Sequence, residues 1–173
     1  RQLGCRGEEN PTLFEFAPDW VVKMSSFSKL ISPGLRVGYV IAPESLAGGL
    51  AKTAEDTYIN ASYLNQAIVY EFIRRGWLEP NLVKLRQLYE PRLDATLEAL
   101  DRDFSDLATW WKPEGGFFVG VTLNAPVSMD ELLKKAAEAN LALTDGRGFF
   151  PDRDVENFIR LPFCALTPDE IQV

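Results

Sequence analysis

A long helical segment with a proline inside it constrains the fold of this chain more than any other feature. Leucines recur at helical spacing between Pro80 and about Phe104, at positions Leu82, Leu85, Leu88, Leu93, Leu97 and Leu100. Pro91 lacks an amide hydrogen, so we expect it to kink or break this helix near Tyr89. The segment therefore predicts a long helix that joins two parts of the protein, with a seam near Pro91.

The residues before this helix predict strands with helices attached. Residues 1–18 are punctuated by glycine and proline and are predicted to form a loop. Two short apolar segments, 20–24 and 36–42, are predicted strands, and we expect the first of them to be buried. Helices are expected at about 43–56 and 63–75, the second with apolar residues at the helical period. This order of elements indicates an α/β architecture.

The residues after the long helix predict a smaller β-β-α-β-β unit. Strands are expected at 109–112 and 117–123, on either side of a glycine-containing turn. A capping box opens a predicted helix at 128–139, and two short strands are expected at 141–144 and 158–162. The chain therefore reads as α/β followed by α+β, and we place the domain boundary at residues 90 and 91.

The composition excludes several classes of protein. Histidine is absent from the 173 residues, which excludes Ser-His-Asp and Cys-His catalysis and histidine-ligated metals within this chain, and we expect no metal site. The formal net charge of −7 does not predict a nucleic-acid-binding surface, and no apolar run approaches the ~20 residues of a membrane helix. Cys5 and Cys164 are too far apart in sequence to indicate a disulfide framework, so a reduced, cytoplasmic setting is expected.

Both ends of the chain suggest a piece of a longer protein. The chain begins at Arg1 rather than methionine. Near the other end, Thr167 and Glu170 form a predicted capping box, yet the chain stops at Val173 after one helical turn, which is too short to be stable alone. We therefore expect a large N-terminal part and a shorter C-terminal part to be missing.

A loop between the first two predicted strands carries four side chains that could take part in catalysis or binding: Ser26, Ser28, Lys29 and Arg36. A lysine desolvated at the end of an apolar strand becomes a nucleophile toward carbonyls. Two hydroxyls and an arginine are suitable donors to a phosphate monoester. An amine beside a phosphate site indicates a Schiff base with pyridoxal phosphate, although Ser-x-Ser-Lys by itself also fits an ordinary surface lysine after a strand.

The wider stretch resembles the cofactor-lysine segment of class I/II aminotransferases. Ser-Phe-Ser-Lys is followed by Pro-Gly-Leu-Arg, with the arginine seven residues after the lysine, and then by Val-Gly-Tyr. This spacing is similar to that found in one branch of the family. The branch contains the 2-aminoadipate and kynurenine aminotransferases and the aminotransferase-like domains of MocR-type regulators. Asn65-Gln66, residues 112–118 and residues 157–161 follow in the family's order. The resemblance thus covers nearly the whole chain.

The resemblance implies a fold and two domain assignments. The fold class is α/β, of the PLP-dependent transferase type (fold type I), with the end of the large-domain sheet followed by the small α+β domain. Residues 1–90 would be the C-terminal part of the large PLP-binding domain. Residues 91–173 would be the small C-terminal domain, truncated.

The resemblance also implies roles for individual residues. Lys29 would be the Schiff-base lysine and the general base of the proton shift. Ser26, Ser28 and Arg36 would contact the cofactor phosphate. Arg160 would pair bidentately with the α-carboxylate of the substrate, a task that suits its planar guanidinium.

Several groups that the family uses have no counterpart in the chain. They are a glycine- and serine-containing phosphate loop, a ring stacked on the cofactor, an asparagine and a tyrosine at its phenolic oxygen, and an aspartate on its pyridine nitrogen. We expect the last two to lie upstream of Arg1. Residues 144–148 also lack the family's usual proline-glycine, which leaves the substrate side chain open. The chain by itself is therefore expected to be inactive.

The predicted function is that of an amino-acid aminotransferase. It would move an amino group between an amino acid and a 2-oxo acid through PLP, with no nucleic-acid or membrane partner, and would form a homodimer at full length. One alternative is the effector domain of a MocR-type regulator, preceded by a DNA-binding winged helix. A related PLP lyase or synthase also fits the same motifs.

Overall fold

The computed structural model describes residues 11–152 and 155–172. Over these residues the chain divides into two compact units, with the division between Leu85 and Arg86. Helices and antiparallel strands occur in both units, so the architecture is mixed α/β, as predicted. We call residues 11–85 the first unit and residues 86–172 the second unit.

The first unit is built around a two-stranded hairpin with helices after it. Its pairing places Ser26 opposite Gly38, which brings the two ends of the intervening loop together. We call residues 27–37 the lysine loop. The elements of the unit, in chain order, are α1 (Leu13–Phe16), β1 (Lys23–Ser26), a 3-10 turn (Pro33–Leu35), β2 (Gly38–Ile41), α2 (Glu44–Tyr58) and α3 (Tyr63–Arg74).

Two predictions for the start of the first unit are wrong. The prediction of an uninterrupted loop missed α1, which a capping box stabilises: Glu15 N donates to Thr12 Oγ1 at 3.2 Å, and Thr12 N donates to Glu15 Oε2 at 2.7 Å. The predicted buried strand at 20–24 is also displaced, because β1 begins only at Lys23. Trp20 is 89% exposed, so its apolar side chain did not indicate burial here.

The long helix α4 (Leu78–Asp103) passes through Pro91 without interruption, so the helix does not break there. The other predicted outcome, a kink near Tyr89, stays a prediction. The missing amide of Pro91 and the clash of its ring cost about 3 kcal/mol in a helix interior. Buried leucines after the proline offset this cost, since Leu93 is fully buried and Leu97 is 6% exposed.

The second unit contains a three-stranded antiparallel sheet in the order β3-β4-β5. The predicted strand at 141–144 is absent; the nearest pairing is an isolated bridge between Asp145 and Ile159. The capping box between Thr167 and Glu170 is confirmed. The remaining elements of the unit are β3 (Ala108–Trp110), β4 (Phe118–Leu123), α5 (Met129–Glu138), a 3-10 turn (Gly146–Phe149), β5 (Phe158–Pro162) and α6 (Pro168–Ile171).

The alternation of residues along β4 and β5 separates a buried face of this sheet from a second, more open face. Val119 and Val121 are buried, and Val121 lies opposite Ile159, which belongs to the same core. Arg160 and its partner Gly120 occupy the intervening positions and therefore face the other way. The core thus fixes the backbone beneath Arg160. The core cluster consists of Leu93, Leu97, Leu100, Ala108, Val119, Val121, Met129, Ile159 and Phe163.

Candidate functional site

The lysine loop begins with a tight turn at the end of β1. The amides of Leu30 and Ile31 both donate to the carbonyl of Phe27, at 3.1 and 2.8 Å, and this turn carries Lys29. The amide of Phe27 in turn donates to the carbonyl of Val37 at 3.0 Å, which continues the pairing of the hairpin. Lys29 therefore sits on a turn that backbone hydrogen bonds define.

Two asparagine side chains from helices outside the lysine loop donate hydrogen bonds to its backbone carbonyls. Asn81 Nδ2 in α4 donates to the carbonyl of Leu30 at 2.6 Å, and Asn65 Nδ2 in α3 donates to the carbonyl of Leu35 at 2.9 Å. The Leu30 side chain is 6% exposed and anchors the turn in the first unit. Asn65 belongs to a motif found in the sequence, whereas Asn81 was missed, since a single asparagine near a helix start is ordinary. The loop is therefore fixed both before its 3-10 turn and at the last residue of that turn.

The structure brings Arg36 and Ser28 together. Arg36 Nη1 lies 3.5 Å from Ser28 Oγ and 3.5 Å from the carbonyl oxygen of Pro33. Arg36 adopts a left-handed backbone conformation with φ of 52°, which costs a non-glycine residue roughly 1–2 kcal/mol. No carboxylate in the described ranges lies within 4.0 Å of the Arg36 guanidinium. A guanidinium beside a hydroxyl can therefore bind an anion.

Ser26 and Lys29 are both exposed. A Cβ at Gly38, opposite Ser26, would lie 3.7 Å from Ser26 Cβ and 3.0 Å from the carbonyl of Ser25, so glycine keeps this position of the hairpin open. The first unit thus carries an exposed lysine on the same loop as a hydroxyl and a guanidinium group.

Arg160 occupies an aromatic-lined cavity in the second unit. Its Cζ lies 3.6 Å from the ring centroid of Phe118 and 4.7 Å from that of Phe149. The Arg160 side chain is half-buried, and among residues 11–152 and 155–172 no carboxylate lies within ion-pair distance of it. The cavity has a volume of about 390 Å³ and is lined by Gly115, Gly116, Phe117, Phe118, Gly120, Phe149, Phe158 and Arg160.

Glycines open this cavity. Gly116 has φ of +90°, a conformation that side chains rarely adopt, and it makes the turn that precedes β4. A Cβ at Gly120, opposite Arg160, would lie only 3.0 Å from the ring of Phe158. An isolated glycine within a predicted strand is a sequence signal for such a close approach, and the predictions from sequence did not use it.

Arg147 forms an ion-pair cluster that the predictions from sequence also missed. Its Nη2 lies 2.7 Å from Asp130 Oδ1 and 2.9 Å from Asp145 Oδ2, and its Nη1 lies 3.7 Å from Glu156 Oε1. Hydrogen bonds to Asp145, and then to Asp130, raise the pKa of Arg147 above its ordinary value. Glu156 also accepts a hydrogen bond from the amide of Met129 at 3.2 Å. This cluster ties the 3-10 turn at Gly146–Phe149 to the start of α5.

Metal-binding clusters and membrane-spanning helices are both absent from the residues that the structure describes. No group of three or more histidine, cysteine or acidic residues there is arranged to hold a metal ion. Within the same ranges, no helix is both long and apolar enough to cross a membrane. Cys5 and Asp154 lie outside the described residues.

The chain matches known proteins along nearly its whole length. It is 32% identical over 152 residues to "Aromatic-amino-acid aminotransferase 1" of Thermococcus litoralis, a match that covers 88% of this chain and 36% of that protein. It is 35% identical over 156 residues to an uncharacterized HTH-type transcriptional regulator, YisV of Bacillus subtilis, covering 88% of this chain and 31% of the regulator. The chain thus spans about a third of the length of these curated relatives.

A solved structure agrees with this fold. The crystal structure of LysN, the alpha-aminoadipate aminotransferase from Thermus thermophilus complexed with N-(5'-phosphopyridoxyl)-L-leucine, superposes with a TM-score of 0.91. The two are 32% identical, and the match covers 99% of this chain and 45% of LysN. The family model for aminotransferase class I and II matches residues 2–173. The chain therefore belongs to the class I and II aminotransferase family.

Proposed function

We propose that the protein is a PLP-dependent amino-acid aminotransferase that uses Lys29 to bind the cofactor. The observation that carries this proposal is the lysine loop, which combines the exposed residue Lys29 with the pairing of Ser28 and Arg36 at 3.5 Å. The names of the aminotransferases that resemble the chain support the same reaction. An amino acid would give up its amino group, and a 2-oxo acid would receive it.

The donors of the lysine loop, together with Ser26 at the end of β1, fit the phosphate group of PLP. Ser26 and Ser28 offer hydroxyls, and Arg36 offers a guanidinium that no described carboxylate neutralises. When bound, PLP supplies an aldehyde that takes up the amino group and a ring that accepts electrons. Lys29 Nζ would hold the cofactor, and the same amine would act as the general base that moves the proton at the substrate Cα.

Arg160 is the residue that we propose for binding the α-carboxylate of the substrate. Its guanidinium contacts ring faces and no described carboxylate, so its N–H groups remain available for a planar anion. A bidentate pair with a carboxylate would orient the Cα–H bond of the substrate for proton transfer.

Further assignments extend this proposal to the whole protein. We assign residues 1–90 to the large PLP-binding domain and residues 91–173 to the small domain of the family. We also propose that the whole protein is a homodimer in the cytoplasm. The low cysteine content supports a reduced setting, since Cys5 and Cys164 are the only cysteines of the 173 residues.

Chemical labelling tests the role of Lys29. The protein, expressed from its complete reading frame and loaded with PLP, is reduced with borohydride, digested and mapped by mass spectrometry. The expected result is one label, on Lys29, together with transfer of amino groups between amino acids and 2-oxo acids. A label on Lys23 or Lys52 would contradict the assignment.

A second candidate function is that of a PLP-binding effector domain in a MocR-type regulator, which the similarity to YisV favours. In that case the protein would bind PLP through Lys29 and respond to an amino acid without turning it over. The complete reading frame distinguishes the two functions, because a regulator would encode a helix-turn-helix ahead of this family segment. A labelled protein without turnover would point to the regulator.

A further inference from the structure

We propose that Phe149 and Phe118 are positioning residues for Arg160, and that Arg147 holds Phe149 in place for this purpose. The two rings would restrict the guanidinium so that its N–H edge is presented to a carboxylate in the cavity. This inference rests on the proposed function, in which Arg160 binds the α-carboxylate of the substrate.

The distances show that Arg160 contacts ring faces. A guanidinium carbon 3.6 Å from the centroid of Phe118 must lie above the ring, because an approach in the ring plane would stop farther out at the ring hydrogens. The contact with Phe149, at 4.7 Å, is also over the ring and within cation–π range. Stacking on ring faces uses the π-surface of the guanidinium and leaves its in-plane donors for a planar anion.

Two arginines of the second unit show opposite arrangements. Arg147 is 24% exposed and has Asp130, Asp145 and Glu156 as ion-pair partners, so its charge is neutralised within the protein. Arg160 is half-buried and lies beside aromatic rings, with no carboxylate of the described ranges at ion-pair distance. The cavity thus contains a positive charge that is restricted in position and lacks a counter-ion among the described residues, as an anion-binding residue requires.

Contacts of the residues before and after Phe149 fix the turn that carries it. Arg147, two residues earlier, donates to Asp130 in α5 and to Asp145, the residue just before the turn. Gly146 packs so closely that a Cβ there would lie 1.8 Å from the carbonyl oxygen of Phe158. Phe150 packs edge-on against Phe158, with ring centroids 5.1 Å apart. The turn therefore places only one of its two adjacent phenylalanines, Phe149, on Arg160.

The matched test replaces each of these two phenylalanines by leucine in the PLP-loaded protein from the complete reading frame. Phe149→Leu removes a cation–π contact, so KM for amino acids should rise about three- to tenfold. The value of kcat and the absorbance of lysine-bound PLP should stay near those of the unmodified protein. Phe150→Leu removes a neighbouring ring that contacts Phe158 and not Arg160, so any rise in KM should be clearly smaller than in Phe149→Leu.

A double-mutant cycle shows whether the effect passes through Arg160. In an Arg160→Ala background, Phe149→Leu should cause no further rise in KM. An equal rise in that background, or equal effects of Phe149→Leu and Phe150→Leu, would mean that Phe149 acts on general packing and would overturn the inference. Arg147→Gln should give a smaller rise in KM of the same kind, because it loosens the turn and keeps the ring.

A readout without turnover separates this inference from the proposed function. In NMR spectra, the Nε–H resonance of Arg160 should lie upfield because of the rings, and it should move downfield in Phe149→Leu but not in Phe150→Leu. The carboxylate probe 3-phenylpropionate, which has no amino group to react, should bind more weakly to Phe149→Leu. If Lys29 proved unlabelled while these shifts held, the proposed function would fail and the positioning role would stand. If Lys29 were labelled and the resonance did not move, the inference alone would fail.

Discussion

The two units of the chain differ sharply in how much apolar surface they bury. Among the described residues, eleven hydrophobic residues are buried in the second unit, against three in the first. The first unit exposes eighteen large hydrophobic side chains and the second exposes seven. Exposed apolar surface on this scale marks a region that is used for contacts. The second unit therefore has its own core, whereas the first depends on contacts that its described residues do not supply.

The two proposed sites reflect this difference. Arg160 is on a strand whose opposite face belongs to the core cluster, so packing fixes its backbone. The lysine loop is fixed mainly by individual hydrogen bonds, from Asn65 and Asn81 to two carbonyls, and by the single buried side chain of Leu30. A site held by a few hydrogen bonds adjusts more easily to a bound cofactor than one held by a core.

The largest expected effect comes from the core of the second unit. Leu93→Ala should lower the free energy of unfolding by about 2–5 kcal/mol, because it opens a cavity at a fully buried position. Leu64→Ala in the first unit removes the same atoms from a side chain that is 69% exposed, and should change stability by less than about 0.5 kcal/mol. Chemical denaturation of both variants measures the difference. Equal losses would show that the first unit is as well packed as the second.

The next effect separates the sites by function. In the whole protein, Arg160→Ala should lower kcat/KM for amino acids about tenfold to a hundredfold, the equivalent of the roughly 1.5–3 kcal/mol of a charged hydrogen-bonded pair. The absorbance of lysine-bound PLP should be unchanged, because Arg160 is proposed to bind substrate and not cofactor. Arg75→Ala, an exposed arginine of the first unit, is the control and should leave both quantities unaltered. Loss of cofactor in Arg160→Ala would assign it to the phosphate site or to structure.

A smaller effect tests how the lysine loop is held. Asn81→Ala removes the part-buried donor to the Leu30 carbonyl and should cost about 1 kcal/mol of stability. Amide hydrogen exchange in residues 27–37 should accelerate at the same time. Gln66→Ala removes a side-chain donor of the same type from an exposed bond to the Ala61 carbonyl, and exchange in the loop should stay the same. If both variants behaved alike, the loop would not depend on Asn81.

The smallest effect concerns an exposed ion cluster on α3. Hydrogen bonds from Arg74, and then from Arg75, lower the pKa of Glu71 from 4.5 to about 2. Because the folded pKa lies below the unfolded one, this carboxylate stabilises the fold above about pH 4.5, and its contribution is lost as the pH falls toward 2. An NMR titration should show the low pKa, and added salt should raise it because the pair is exposed. If Arg74→Gln left the pKa of Glu71 unchanged, this account would be contradicted.

Local signals in the sequence predicted the bounds of several elements closely. The strand at 158–162 agrees with β5, and α3 ends one residue before the predicted helix does. Capping at Thr167 needs only residues within one turn, and it is confirmed for the same reason. Family membership, which depends on motifs in a fixed order, is confirmed as well.

The errors arose where packing or one residue decided the outcome. Trp20 looked buried by composition, yet it is 89% exposed. Pro91 lies in a helix because the leucines after it are buried, and the sequence alone does not show that burial. The ring contacts of Arg160 join residues far apart in the chain, so Phe118 and Phe149 had no local pattern that linked them to it.

The glycines of the turn at Gly146–Phe149 have a practical consequence for protein engineering. Gly146 is closed to any side chain, because a Cβ there would lie 1.8 Å from a backbone oxygen. Gly148, two residues later, has open space around its missing Cβ and a backbone that side chains readily adopt. A mutant library should therefore keep position 146 fixed and randomise position 148, which accepts a new Cβ without moving the chain and lies next to Arg147 and Phe149 in the sequence. Two glycines that look alike in the sequence thus differ completely in how much variation they permit.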